Sequence, residues 1–193
     1  MHLSARNRVS TIAAAALSLA FVTFLVVGSS RAAFSGTTDN TANSVTAAGV
    51  ALADDDTGSA MFNVTGMKPG DTQTKCIVVT YNGTITTGAP IQLYRSGVPT
   101  GTGLETYLDA TVEIGTGGSF SSCTGFTPSS TIVTGTLADF LTTKTSYATA
   151  QSTGWTPTGS GQSRTFRVTL TMQDDNAAQA KSVNFGFTWE ARS

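Results

Sequence analysis

Three stretches of this chain alternate apolar and polar residues with a period of two. Leu108, Ala110, Val112 and Ile114 are separated by Asp109, Thr111 and Glu113. Phe166, Val168, Leu170 and Met172 interleave with Thr165, Arg167, Thr169 and Thr171. Val183, Phe185, Phe187 and Trp189 interleave with Ser182, Asn184, Gly186 and Thr188. Successive side chains of a strand point to opposite faces, so each stretch reads as a strand with one buried and one wet face. Strands of that kind must lay their apolar faces together, and the stable solution is two antiparallel sheets packed face to face.

Shorter signals fill in the rest. Gly49–Leu52 and Ala60–Val64 read as short strands, with a turn at Asp54–Gly58 between them. Met67-Lys68-Pro69-Gly70-Asp71 is a Pro-Gly turn. Thr74–Tyr81 is apolar on both faces and reads as a central strand, and Asn82-Gly83 behind it is a hairpin signal. Ala89–Tyr94 reads as a further strand, 115–131 as a loop rich in Gly, Ser and Thr, and 152–163 as a polar connector. The best helix candidate is Thr136–Thr143, where Leu137, Phe140 and Leu141 sit at i, i+3 and i+4. The expected fold class is all-β, a two-sheet antiparallel sandwich or jelly roll with one short helix.

The leading segment is of another kind. Arg6 and Arg8 precede the apolar run Thr11–Val27, and small residues follow at once. This is the pattern of a secretory signal helix, with Ser30 and Ala32 meeting the small-x-small rule, so that cleavage leaves Ala33 as the new terminus. The alternative is an uncleaved anchor, for which a run of ~20 residues is usual. The expected organisation is a signal peptide over 1–32, a flexible polar segment over 33–48 and a sandwich domain over 49–193. Export, to the medium or the cell surface, is the expected localisation, with membrane contact only through the signal segment.

Charge narrows the partners. The chain has 11 Lys+Arg and 12 Asp+Glu. Arg6, Arg8 and Arg31 all precede residue 33, which leaves eight basic residues against twelve acidic ones beyond it. A mildly acidic body without a basic cluster argues against nucleic-acid binding, which needs a phosphate-neutralising patch.

Cys76 and Cys123 are the only cysteines, and an even count in an exported chain favours a disulfide over two buried thiols. The chain-entropy model gives ~4 kcal/mol for closing a loop of this size. The single histidine, His2, lies in the leader, which removes histidine-based nucleophilic and zinc sites from the body. Glu105, Glu113 and Glu190 are candidates for a hydrolytic carboxylate pair, with Glu113 better read as a solvated charge. Asp54–Asp56 and Asp174-Asp175 suit turns better than a calcium loop, whose ligand spacing they lack. Tyr94, Tyr107, Tyr147 and Trp155 could form a sugar-stacking platform but suit core or edge packing better. No cofactor or metal is expected, and no catalytic residue is assigned.

Four motifs follow one another in order: Ala32-Ala33-Phe34-Ser35, Ala48-Gly49-Val50-Ala51-Leu52, Met67-Lys68-Pro69-Gly70-Asp71 and Val79-Thr80-Tyr81-Asn82-Gly83. With the closing Val183–Ala191 stretch, they make the chain resemble the TasA/camelysin family of exported surface proteins. The resemblance covers 1–83 and 163–191. It implies a jelly roll, processing by a SipW-like signal peptidase, and a structural role as a biofilm-matrix or fibre subunit. It also implies self-association by insertion of the N-terminal segment into a neighbouring copy, with Phe34 and Val45 as candidate anchors. A monomeric surface module binding a glycan or host ligand is the alternative, and a camelysin-like protease the third reading. No metal-ligand set in this chain matches the protease.

Overall fold

The computed structural model describes residues 35–39, as backbone, and residues 49–85, 88 and 90–192 with their side chains. They fall within one compact unit, Phe34–Ser193. Among the described residues, nine strands form two antiparallel sheets. In chain order they are β1 (Ser35–Asp39), β2 (Leu52–Asp54), β3 (Thr72–Tyr81), β4 (Ile91–Gly101), β5 (Leu108–Thr116), β6 (Thr127–Thr136), β7 (Gln151–Ser152), β8 (Gln162–Met172) and β9 (Val183–Arg192). One sheet has the order β1-β9-β4-β7 and the other the order β2-β3-β8-β5-β6. Among the described residues, a single α-helix, α1 (Leu137–Thr143), follows β6.

The alternation places the core. Leu108, Ala110, Val112 and Ile114 of β5 and Phe166, Val168, Leu170 and Met172 of β8 are all buried. From the four-stranded sheet, Ile91, Leu93, Phe187, Trp189 and Ala191 join them in one cluster. Phe166 and Trp189 meet between the sheets, their ring centroids 5.3 Å apart. The helix covers one margin of this core with Leu137, Phe140 and Leu141, and the Phe140 ring lies 5.5 Å from that of Phe187. Thr136 caps the helix by accepting from Asp139 N–H at 3.1 Å, satisfying one of the orphan donors of its first turn.

Several local expectations change. Ala60–Val64 forms no strand. Met61 is buried in the core and Phe62 packs its ring 6.3 Å from Phe185 of the opposite sheet, so this segment plugs the sandwich instead of extending a ladder. The first two residues of the expected loop 115–131 belong to β5 and its last five to β6, whose Ser and Thr residues line an exposed edge strand.

Asn82-Gly83 is not a hairpin, because β3 and β4 lie in different sheets and the chain crosses between them. Asn82 N–H donates to Ala51 O instead, at 2.8 Å. Glycine is needed at 83 because an added Cβ would sit 2.4 Å from the Tyr81 hydroxyl and 2.6 Å from Gly49 O. The Pro-Gly turn is present: Asp71 N–H donates to Lys68 O at 2.9 Å and Gly70 has φ +81°.

Cys76 and Cys123 form a disulfide, with their Cα atoms 5.4 Å apart. It ties the loop after β5 to β3. Asp55 reinforces the same junction, its carboxylate accepting from Val78 N–H and from Phe120 N–H, each at 2.8 Å. Among the described residues, no helix is long and apolar enough to cross a membrane.

Candidate functional site

Strand β9 is the element around which the unusual features collect. It pairs with β4 on one side from Ile91↔Ala191 to Gly101↔Val183. On the other side it pairs with β1, and only over its second half, from Ser35↔Arg192 to Asp39↔Thr188. The segment expected to be loose thus begins with a strand on its own body. Five residue pairs fix it there.

The outward face of this half of β9 is not wet as the alternation predicts. Thr188 is 4% exposed and Glu190 2%. A buried carboxylate needs partners, and Glu190 has them. Tyr94 of β4 donates its hydroxyl to Oε2 at 2.5 Å, and Arg192 Nε donates to Oε1 at 2.6 Å. The Arg192 guanidinium lies 4.3 Å from the Tyr147 ring centroid, so the cation is stacked as well as paired. Burial raises the Tyr147 hydroxyl above its ordinary pKa, Arg192 pulls it back and Glu190 pushes it up. The hydrogen bond to Glu190 holds Arg192 more firmly protonated than usual.

The first half of β9 differs. Val183, Asn184, Phe185, Gly186 and Phe187 line a cavity of about 250 Å³ together with Ala60, Met61 and Phe62. Among the described residues, no strand pairs with this half on the side away from β4. The cavity adjoins two more, of about 140 Å³ and about 530 Å³, which share Val64, Met67, Leu104 and Val183.

The other sheet margins are blunted. β6 carries Pro128 and two register shifts against β5. β7 is two residues long, and β4 is irregular between Ser96 and Thr100. β2 covers β3 only from Val79 to Tyr81, and the remaining margin carries the exposed Lys75 on its inward register, opposite Val168.

The other candidates are scattered. Glu113 is ion-paired with Arg167 at 2.6 Å, Glu190 is held as above, and Glu105 sits in a short 3-10 turn, so no carboxylate pair forms among them. Asp56 is fully buried and accepts from Gly58 N–H at 2.7 Å. Its pKa is raised to about 6, first by burial and then by its neighbours Asp54 and Asp55. Asp175 caps a short 3-10 turn by accepting from Ala177 N–H.

Among the described residues, no group of three or more His, Cys, Asp or Glu is placed to hold a metal. The four aromatics make no shared platform: Lys181 lies over Tyr107, Arg164 over the buried Trp155, Arg192 over Tyr147, and Tyr94 is bonded to Glu190. Ser30, Ala32, Ala33, Phe34 and Val45 lie outside the residues whose side chains are described.

The pairing of β9 escapes sequence reasoning, since a strand's alternation is the same with or without a neighbour. Glu190 gives a signal: it and Arg192, two positions on, are the two charges of an otherwise apolar or neutral closing strand. The chain matches no family model and no curated protein.

Proposed function

We propose that the protein is an exported structural subunit whose copies join by exchanging β1. The observation that carries this reading is the β1–β9 pairing. It lies at the leading end of the folded body and is continuous with the rest of the chain only through residues 40–48. Nine residues span up to about 30 Å when extended, enough to carry β1 to the β9 of a neighbour. The exchanged strand keeps the same main-chain bonds, so the exchange costs little once two bodies are close. Closed exchange gives dimers and open exchange gives a filament. The blunted margins at β6, β7 and β3 support the choice of this edge, because they oppose pairing there.

The resemblance to the TasA/camelysin family supports the same reading, as does the disulfide, which suits an oxidising compartment. On this reading the two sheets form a jelly roll. Residues 1–32 form a signal helix removed on export, and the role is structural rather than catalytic.

The test locks β1 on its own body. Gly36 and Ala191 are directly opposed in the register, so the pair Gly36→Cys and Ala191→Cys can form a cross-strand disulfide. The protein lacking residues 1–32 is expected to form filaments under negative-stain microscopy. The locked variant is expected to stay monomeric until reduced under conditions that leave Cys76–Cys123 intact. Monomers of the unlocked protein at high concentration, or filaments of the locked one, would overturn the reading.

A further inference from the structure

Where the chain leaves β3 at Asn82-Gly83, main-chain bonds hold it on both sides of the glycine. Asn82 N–H donates to Ala51 O at 2.8 Å, and the N–H groups of Thr84 and Ile85 both donate to Gly49 O at 3.0 Å. These bonds tie residues 49–51, just before β2, to the end of β3. Between them lies a gap. Among the described residues, neither the Gly83 N–H nor the Asn82 carboxamide makes a hydrogen bond, and Asn82 is exposed.

Those two groups can react with each other. The Gly83 nitrogen attacks the carboxamide carbon of Asn82, and the new C–N bond closes a five-membered imide. The side-chain nitrogen leaves as ammonia, carrying the proton that the main-chain nitrogen gives up. Water then adds to either imide carbonyl and reopens the ring. Opening at one restores the main chain and leaves aspartate. Opening at the other leaves the main chain running through the side-chain carbon, as isoaspartate. Water is the only co-reactant, and nothing is oxidised or reduced.

Glycine favours the first step because no side chain hinders its nitrogen. Here the fold itself demands that glycine, since an added Cβ would sit 2.4 Å from the Tyr81 hydroxyl and 2.6 Å from Gly49 O. No other Asn-Gly occurs in the chain. The other described asparagines are poorer reactants. Asn63 is exposed but precedes the β-branched Val64. Asn176 precedes Ala177, whose N–H is held by Asp175 Oδ1 at 2.8 Å. Asn184 is paired with Thr100 within the β9–β4 ladder.

We infer that Asn82 is a site of spontaneous modification, converting through an imide with Gly83 to isoaspartate, and that the conversion loosens the start of β2 from β3. The product inserts an extra carbon into the main chain between the Cα of residue 82 and the Gly83 nitrogen. The donors on either side of Gly83 are then spaced too widely for Ala51 O and Gly49 O, which sit on one short segment. The close packing of Gly83 against Tyr81 and Gly49 leaves no room to absorb the added length.

The test incubates the purified full chain in warm neutral buffer made with heavy-oxygen water. Peptide mapping by mass spectrometry reads heavy-oxygen uptake at each asparagine, and enzymatic methylation identifies isoaspartate. Uptake at residue 82 is expected to be faster than at Asn63 or Asn176 by about tenfold or more, and within about tenfold of its rate in the chain unfolded in guanidinium. Amide hydrogen exchange of the aged protein should be faster by about tenfold or more at Thr84 and Ile85. In Asn82→Gln the corresponding ring has six members and closes far more slowly. That variant should take up no heavy oxygen at 82 and keep both amides protected through the same incubation.

Uptake at Asn82 no faster than at Asn63 overturns the inference. A folded rate more than about tenfold below the unfolded one overturns it too, because the fold then holds the two groups apart. Unchanged exchange at Thr84 and Ile85 after conversion overturns the loosening, as does equal loosening in Asn82→Gln. None of these outcomes depends on whether filaments form.

Discussion

Tyr94 donates its hydroxyl hydrogen to a carboxylate oxygen of Glu190 at 2.5 Å, joining β4 to β9 on a face that alternation alone marks as wet. A buried acceptor that loses its donor costs about 1–3 kcal/mol. Tyr94→Phe is therefore expected to lower unfolding stability by that amount in urea titration, with little change in the slope. An unchanged midpoint would mean that Glu190 is solvated in solution.

The disulfide and Asp55 hold the same loop against β3. Reduction of Cys76–Cys123 is expected to cost up to about 4 kcal/mol by the chain-entropy model and to lower the melting temperature. Asp55→Ala should cost more in the reduced protein than in the oxidised one, because in the reduced protein it is the remaining tie of Phe120 to the body of β3. A double-mutant cycle with Cys76→Ala measures that coupling, and strict additivity would refute it.

Asp56 makes stability depend on pH in an unusual direction. Its folded pKa is about 6 against an ordinary value of 3.8, so between those values the folded chain holds a proton that the unfolded chain has released. The contribution of this group is therefore most favourable below about pH 4, falls as pH rises to about 6, and is flat above. Asp56→Asn keeps an oxygen to accept from Gly58 and removes the titration. Urea midpoints measured from pH 4 to pH 7 should show the variant gaining on the parent as pH rises.

Lys75 stands on the inward register of β3 where β2 no longer covers the margin. Lys75→Val should leave the fold intact and raise the rate of edge-to-edge aggregation, read by light scattering at fixed concentration. No increase would show that the margin is protected by something other than this charge.

Much of the fold is legible in the residues. β5 and β8 follow their alternation because each has one face on the core and one in solvent, and α1 follows its i, i+3, i+4 spacing. The failures have physical causes. Thr188 and Glu190 are polar and buried because Tyr94 and Tyr147 close over that face, a tertiary fact that no local pattern carries. The first half of β6, 127–131, reads as loop because Ser, Thr and Pro dominate an edge strand that buries little.

Asn82-Gly83 reads as a hairpin because the dipeptide's turn preference is real, yet here the glycine is demanded by the closeness of Tyr81 and Gly49. The candidate site is the least legible region. Which segment lies beside each half of β9 is decided by what the fold brings alongside, and the strand's own sequence is silent on it.

The antiparallel register that sets Ser35 opposite Arg192 has a mechanical consequence. Tension applied between those two residues acts at one corner of the pairing, so the five rungs break in succession, as a zipper opens, at low force. Tension between Ser35 and the far end of β9 runs along the strands instead, and the rungs must yield together in shear.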